Sequence, residues 1–233
     1  MKCRIAELNI EILNRDNFTN RICNKYLADF ASPDVTLSAD DGAIAYEHTL
    51  SLDDKFNFGR LEAVALCRQL GLILPTKGAL MLHGATFSLE DKGIIFLAKS
   101  GTGKSTHMLL WQQLFGDKLE VINGDKPIVR FDSGVPVAYG TPWCGKEGLS
   151  KNKSVPLTDL CFIKRSVSND TRELSRGEAL SLLLEQVVIP SGSENIILVL
   201  DMLDRLLSSC RLWEIGCNTD IAAAEHSSSI ILR

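Results

Sequence analysis

The chain has 233 residues, 45% of them hydrophobic and 23% charged, a balance that supports a packed core and excludes a disordered or low-complexity protein. Lys and Arg number 25 against 29 Asp and Glu, so the net charge is -4 and the basic excess of a nucleic-acid binder is missing. No apolar run reaches the roughly 18 residues of a membrane span, and Met1 to Glu7 has no signal-peptide core, so no membrane partner is expected. Seven scattered cysteines without a CxxC pair predict reduced thiols in the cytoplasm rather than a disulfide framework or zinc site.

In chain order, Leu8, Ile10 and Ile12 alternate with polar residues and predict a strand. Asn20 to Phe30 suggests a short helix. Val35 to Ala39 and Ala43 to Leu50 read as strands around the turn Asp40-Asp41-Gly42. Asp53 to Gly59 is polar and turn-like, which sets an expected boundary between a small N-terminal α+β lobe, 1–59, and an α/β domain, 60–233. Arg60 to Leu74 predicts a helix stopped by Pro75. Strands are expected over Ala79 to Phe87, Gly93 to Ala98, Leu119 to Asn123, Ile128 to Phe131, Val135 to Tyr139 and Leu157 to Ile163. Helices are expected after the glycine-rich loop to about Phe115, then over Gly177 to Ile189, Glu194 to Ser209 and Asp220 to Leu232.

The strongest signal is Ala98-Lys99-Ser100-Gly101-Thr102-Gly103-Lys104-Ser105-Thr106. It fits the phosphate-loop pattern GxxxxGK[ST], with Ala98 in the first glycine position. A buried-type strand enters it and a helix leaves it. Gly101 and Gly103 let the backbone curl so that N–H groups point at phosphate oxygens. The helix start adds its positive dipole end. Lys104 supplies a point charge for β- and γ-phosphates, and Ser105 offers a hydroxyl to Mg²⁺. The alternative is a plain glycine turn capping a helix. Such a site needs a second, acidic metal ligand, and Asp125, at the end of the next strand, has the right placement. Its alternative is a turn carboxylate before Pro127.

Four stretches resemble the HPr kinase/phosphorylase and phosphoenolpyruvate carboxykinase superfamily, above all its small HPr-kinase-like bacterial branch, some of it associated with peptide-modifying gene clusters. They are Leu82-His83-Gly84-Ala85; Ser100 to His107 with Leu110-Trp111; Ile122-Asn123-Gly124-Asp125-Lys126-Pro127; and Gly140-Thr141-Pro142-Trp143-Cys144-Gly145-Lys146-Glu147-Gly148. The resemblance implies a P-loop core of that type. It implies an ATP- and Mg²⁺-dependent phosphotransferase acting on a hydroxyl, a serine of a small protein or precursor peptide, or on a small hydroxylated molecule. It places His83 near the acid that takes the acceptor proton, the alternative being a hydrogen-bonded core histidine. The family commonly carries Asp-Asp where this chain has Gly124-Asp125, so one acid is missing. Lys146, in a loop-forming stretch, is a candidate to offset charge on the transferring phosphoryl group, or else a solvated lysine. Trp143 reads as packing, and Cys144 lacks an evident base to act as a nucleophile. His107 is expected to pack or to be solvated. The Leu180 to Val188 segment reads as core or as the face of a homo-oligomer. Competing readings are a nucleotide-binding docking subunit without transferase activity and a P-loop nucleotidase or small-molecule kinase of another family.

Overall fold

The computed structural model describes residues 1–51, 57–132 and 134–233. Three strands open the chain: β1 (Lys2–Ile5), β2 (Leu8–Leu13) and β3 (Val35–Ser38). β1 pairs antiparallel with β2, and β2 pairs parallel with β3. The expected strand at Leu8 is present, and its even positions Leu8, Ile10 and Ile12 are buried. Between β2 and β3 lies α1 (Asn17–Cys23), capped by the Asp16 side chain and continued by one 3-10 turn to Tyr26. This helix starts and ends earlier than Asn20 to Phe30, because Asp16 rather than Asn20 satisfies the free N–H groups of its first turn.

The expected strand over Ala43 to Leu50 is instead a helix, α2 (Asp41–Leu50). Asp40 accepts from the Ala43 N–H at 2.7 Å and begins the helix where a turn was expected. Asp serves both roles, and here the buried pair Ile44 and Glu47 follows a helical spacing. Residues 53–56 of the expected boundary lie outside the described residues. Asn57 already caps α3 (Phe58–Ile73), so Phe58 and Gly59 are helical rather than part of a turn. α3 lies in one apolar cluster with the N-terminal sheet, through Leu61, Ala65, Leu66 and Leu70. It ends before Pro75 as expected.

The remainder forms a nine-stranded mixed sheet with helices on both faces. Its strands are β4 (Ala79–Met81), β5 (Gly84–Leu89), β6 (Lys92–Leu97), β7 (Leu119–Asn123), β8 (Ile128–Arg130), β9 (Val137–Tyr139), β10 (Ser154–Arg165), β11 (Asp170–Glu173) and β12 (Arg211–Cys217). The long β10 is the hinge of the sheet. Its first residues pair antiparallel with β9, while its later ones lie between parallel neighbours β6 and β12. From β6 the sheet continues antiparallel through β5 to β7, and from β9 through β8 to β4. Strands β11 and β12 carry no expectation from the sequence pattern. The Leu212-Trp213-Glu214-Ile215 run is too short and too interrupted to stand out beside the apolar helix before it.

Residues alternate between two faces of this sheet. Phe87, Ile94, Phe96, Cys161 and Ile215 pack under α4 (Lys104–Phe115) and α7 (Ile221–Ile231). Ile95, Leu97, Ile122, Leu160 and Leu212 pack under α5 (Arg176–Leu184) and α6 (Ser193–Ser209). The fold is therefore mixed α and β, and no described helix is long and apolar enough to cross a membrane.

Candidate functional site

The expected single strand from Ala79 to Phe87 is broken at Leu82 and His83, and the break builds the site. β4 belongs to one arm of the sheet and β5 to the other, so the chain switches arms between them. The freed backbone groups are taken up by three other segments. Leu82 N–H donates to Pro127 O at 3.0 Å, His83 N–H to Gln186 O at 2.8 Å and Gly84 N–H to Asp125 O at 2.9 Å. The His83 side chain is thereby fixed against Asp125.

Asp125 is fixed from the other side by Asn123, the last residue of β7. The wholly buried Asn123 amide oxygen accepts from the N–H groups of Asp125 and Lys126 at 2.9 and 2.7 Å. Its NH₂ donates to Thr141 O at 3.0 Å and to Thr141 Oγ1 at 3.2 Å. One side chain thus ties the Asp125 turn to the loop that follows β9. Trp143 anchors that loop further. It is buried and donates its indole N–H to Ala63 O of α3 at 2.7 Å, which bears out packing as its role.

Gly124 marks where the single carboxylate of this turn is built into the packing. A Cβ there would meet Cys144 O at 2.8 Å, with Leu149 O at 3.5 Å. The backbone of the 142–149 loop fills the space a second acidic side chain would need. Gly145, at φ 79°, passes Asp125 closely, since a Cβ on it would lie 3.2 Å from the Asp125 Cβ.

The glycine-rich loop lies between β6 and α4, as its pattern predicts. Gly101 and Gly103 have φ of 74° and 126°, and a Cβ on either would meet nothing within 4 Å. Their glycine requirement is therefore conformational, set by backbone that L side chains rarely adopt. Gly103 caps α4 without a side chain, leaving the helix start to the loop. Lys104, the first residue of α4, turns inward. It is 7% exposed, donates to Ala98 O at 2.7 Å and lies 3.1 Å from His83 Nε2.

Three of the expected site residues therefore meet: Lys104, His83 and Asp125. His83 Nε2 is 3.2 Å from Asp125 Oδ1. One ring nitrogen cannot serve both neighbours at once; it accepts from the ammonium or donates to the carboxylate. Burial pulls the Lys104 ammonium below its ordinary pKa, with Asp125 opposing that shift and Lys126 adding to it. Burial pushes Asp125 upward, but the His83 hydrogen bond and the charges of Lys126, His83 and Lys104 outweigh it. The carboxyl is held below its ordinary value and stays ionised.

Ser105 and Thr106 follow on α4, half-buried and exposed, and Ser100 and Thr102 lie in the loop before it. No hydrogen bond or ion pair joins Ser105 to Asp125 among the described residues. Among those residues no group of three or more His, Cys, Asp or Glu could hold a metal. A hydroxyl and one carboxylate fit Mg²⁺, which keeps several waters and binds through one or two carboxylates plus phosphate oxygens. Lys146 is exposed on the loop after Trp143 and touches neither Lys104 nor Asp125, but it lines the same cleft as Asp125. Burial raises the Cys144 thiol, away from the thiolate form that a nucleophile needs. His107 packs: it is 1% exposed, lies against Phe96 and is 3.0 Å from Ser227 Oγ.

Two contributors have a part in the site that the sequence does not signal; Lys164-Arg165 reads there as a solvated strand end or a contact for an acidic partner. Arg165, at the end of β10, donates through Nη2 to Gly101 O and through Nε to Thr102 O. It ties two carbonyls of the loop to the end of β10, from 63 and 64 residues away in the chain. Lys126 stands beside Asp125 with Nζ 3.9 Å from Oδ2. Neither contact has a local sequence signal, although Lys126 lies within the Ile122-Asn123-Gly124-Asp125-Lys126-Pro127 stretch.

His83 and Asp125 also border a cleft of about 680 Å³. Its walls come from α1, α3, the end of β4, the 142–148 loop and the segment after α5. Phe18, Ile22, Val64, Met81, Trp143 and Val188 give it an apolar lining. None of residues 98–106 lines it, so His83 and Asp125 form the border between loop and cleft.

No protein-family model matches the chain, and no curated protein matches it in sequence. Among solved structures, the Hpr(Ser) kinase/phosphatase from Coxiella burnetii matches 54% of this chain and 88% of its own at 12% identity, with a TM-score of 0.29. A likeness that weak carries no argument, and the chemistry rests on this chain's own residues.

Proposed function

We propose that the protein is a phosphotransferase that moves the γ-phosphoryl group of ATP to an acceptor hydroxyl, a serine of a peptide or small protein. The observation that carries this reading is the contact of Lys104 with His83 and of His83 with Asp125, at the seam between a glycine-laced helix start and an apolar cleft. The loop Ser100 to Thr106 takes the polyphosphate on its N–H groups and on the dipole of α4. Mg²⁺, held by Ser105 and Asp125, would offset charge on the phosphate oxygens.

Lys104 leaves Ala98 O for the β- and γ-phosphates. His83 Nε2, freed from the ammonium, then donates to Asp125 and fixes its orientation. An acceptor hydroxyl in the cleft stands beside Asp125. Its oxygen forms a bond to the γ-phosphorus as the bond from that phosphorus to the bridging oxygen breaks; ADP leaves and the hydroxyl proton passes to the Asp125 carboxylate. Lys146, an exposed residue of the loop that lines the cleft, would bring its ammonium toward the transferring group on its long side chain. Positioning and charge supply most of the rate.

The single carboxylate favours a second reading, a nucleotide-binding docking subunit that transfers nothing. Incubation with Mg-ATP and serine-containing acceptors, followed by mass spectrometry, separates the two. Transfer predicts the gain of one phosphate on an acceptor, abolished in Lys104→Ala and lowered by about 10²-fold or more in Asp125→Asn. Transfer undiminished in Lys104→Ala would remove the mechanism; nucleotide binding with neither transfer nor hydrolysis would leave the docking reading.

A further inference from the structure

The charges around the cleft do not balance. Four cations line it, Arg60, Arg68, Lys126 and Lys146, against the carboxylates Asp125 and Glu185. Arg68 is taken by Glu47 on α2, outside the cleft, and Glu185 by Lys99 at 3.2 Å. Among the described lining residues that leaves Arg60, Lys126 and Lys146 with Asp125 alone. Asp125 is already engaged by His83. The Arg60 and Lys146 side chains have no acidic partner among the described residues.

The placement of Arg60 is unfavourable by itself. It sits in the first turn of α3, where the helix dipole disfavours a cation. No carboxylate among the described residues compensates it, and the exposed Arg60 lines the cleft together with Phe18, Ile22 and Val64. The phosphate loop does not account for these cations, because none of its residues lines this cleft.

We infer that the cleft binds an acceptor with an apolar body and its own anionic group, the body lying on the Phe18, Val64 and Val188 wall and the anion read by Arg60 with Lys146 and Lys126. The inference rests on the proposed acceptor role of the cleft and gives that acceptor its chemistry. A volume of about 680 Å³ holds a short extended peptide segment or a small acylated molecule, not a folded domain. Both sources present the same groups to the wall.

Titration calorimetry without nucleotide tests it with two matched pairs of probes. One pair is N-octanoylserine and its methylamide. The other is the end-capped peptide Leu-Phe-Ser-Glu-Leu and its Glu-to-Gln counterpart. In at least one pair the anionic member binds about tenfold tighter or more at low salt, and the preferred pair names the source. N-acetylserine, which lacks the apolar body, binds more weakly than N-octanoylserine. Arg60→Gln erases most of the anionic preference and leaves the neutral member unchanged, while Arg60→Lys retains the preference. Equal binding of neutral and anionic members in both pairs, no binding of any probe, or equal weakening of both members by Arg60→Gln would overturn the inference. Because binding is read without nucleotide, a probe that binds here but gains no phosphate in a separate incubation with Mg-ATP would count against phosphoryl transfer and leave the anion-reading site standing.

Discussion

Lys104 is buried among groups that work on its charge in opposite directions, and that tension suits a residue with two positions. Its present acceptor is a backbone carbonyl at 2.7 Å and its neighbour is an imidazole, neither of which matches the attraction of a phosphate. His83 gains from its departure, since Nε2 is then free for Asp125. His83→Gln should therefore lower transfer by less than Asp125→Asn does, because the carboxylate remains but loses its orientation. A rate of transfer in His83→Gln equal to or below that of Asp125→Asn would contradict this order. At Gly124, a side chain collides with the Cys144 carbonyl. Gly124→Asp should not add a second base; it should displace the 142–149 loop, cost about 1–3 kcal/mol of stability and lower activity. A more active and equally stable variant in thermal melts and transfer assays would refute that. His107 gives a pH prediction away from the site. Burial lowers its pKa from 6.5 to about 4, so the unfolded chain binds a proton that the folded chain refuses between those values. Stability from this group is whole above pH 6.5 and falls as pH drops toward 4, by about 3 kcal/mol. Urea melts across that range should show the loss, and His107→Gln should flatten it.

At the level of elements, the unit from β6 through the glycine loop to α4 is legible because everything that builds it is local. An apolar run, two glycines and a helix former follow one another in the chain. The Asp125 turn is legible for the same reason, with Asn123 and Pro127 around it. What holds these units in place is not local. Arg165 reaches Gly101 from another strand, and a sequence window of any ordinary width shows only a charged strand end. Arg165→Ala should free the Gly101 and Thr102 carbonyls and raise the KM for ATP about tenfold with little change in kcat, and Arg165→Lys should recover part of it. A fall in kcat at unchanged KM would argue against a positioning role. The Ala43 to Leu50 expectation fails because Asp40 is at home in turns and in caps alike, and only the tertiary burial of Ile44 and Glu47 decides. Strand β12 is hidden for a related reason: it is specified by its pairing to β10 and β11, not by its own alternation. The break at Leu82 and His83 is equally invisible, since both halves are apolar and the switch depends on partners 41 and more residues onward, at Asp125, Pro127 and Gln186.

Across the whole molecule, the cleft exists because the N-terminal sheet and α3 stand beside one arm of the large sheet. Ala63 of α3 receives the Trp143 indole N–H, and Met81, Ile128 and Trp143 join the N-terminal apolar cluster. One wall of the cleft, with Phe18, Ile22 and Arg60, is therefore supplied by residues far from the glycine loop in sequence. The motifs mark the phosphate side of the proposed site; the acceptor side depends on this long-range packing. The most direct measurement is titration calorimetry of Mg-ATP into the intact protein, alongside Lys104→Ala. A nucleotide-gripping loop of the proposed kind requires saturable heat at one site per chain in the wild type and its loss in the variant. An absence of binding heat in the wild type, or equal binding in Lys104→Ala, would contradict it.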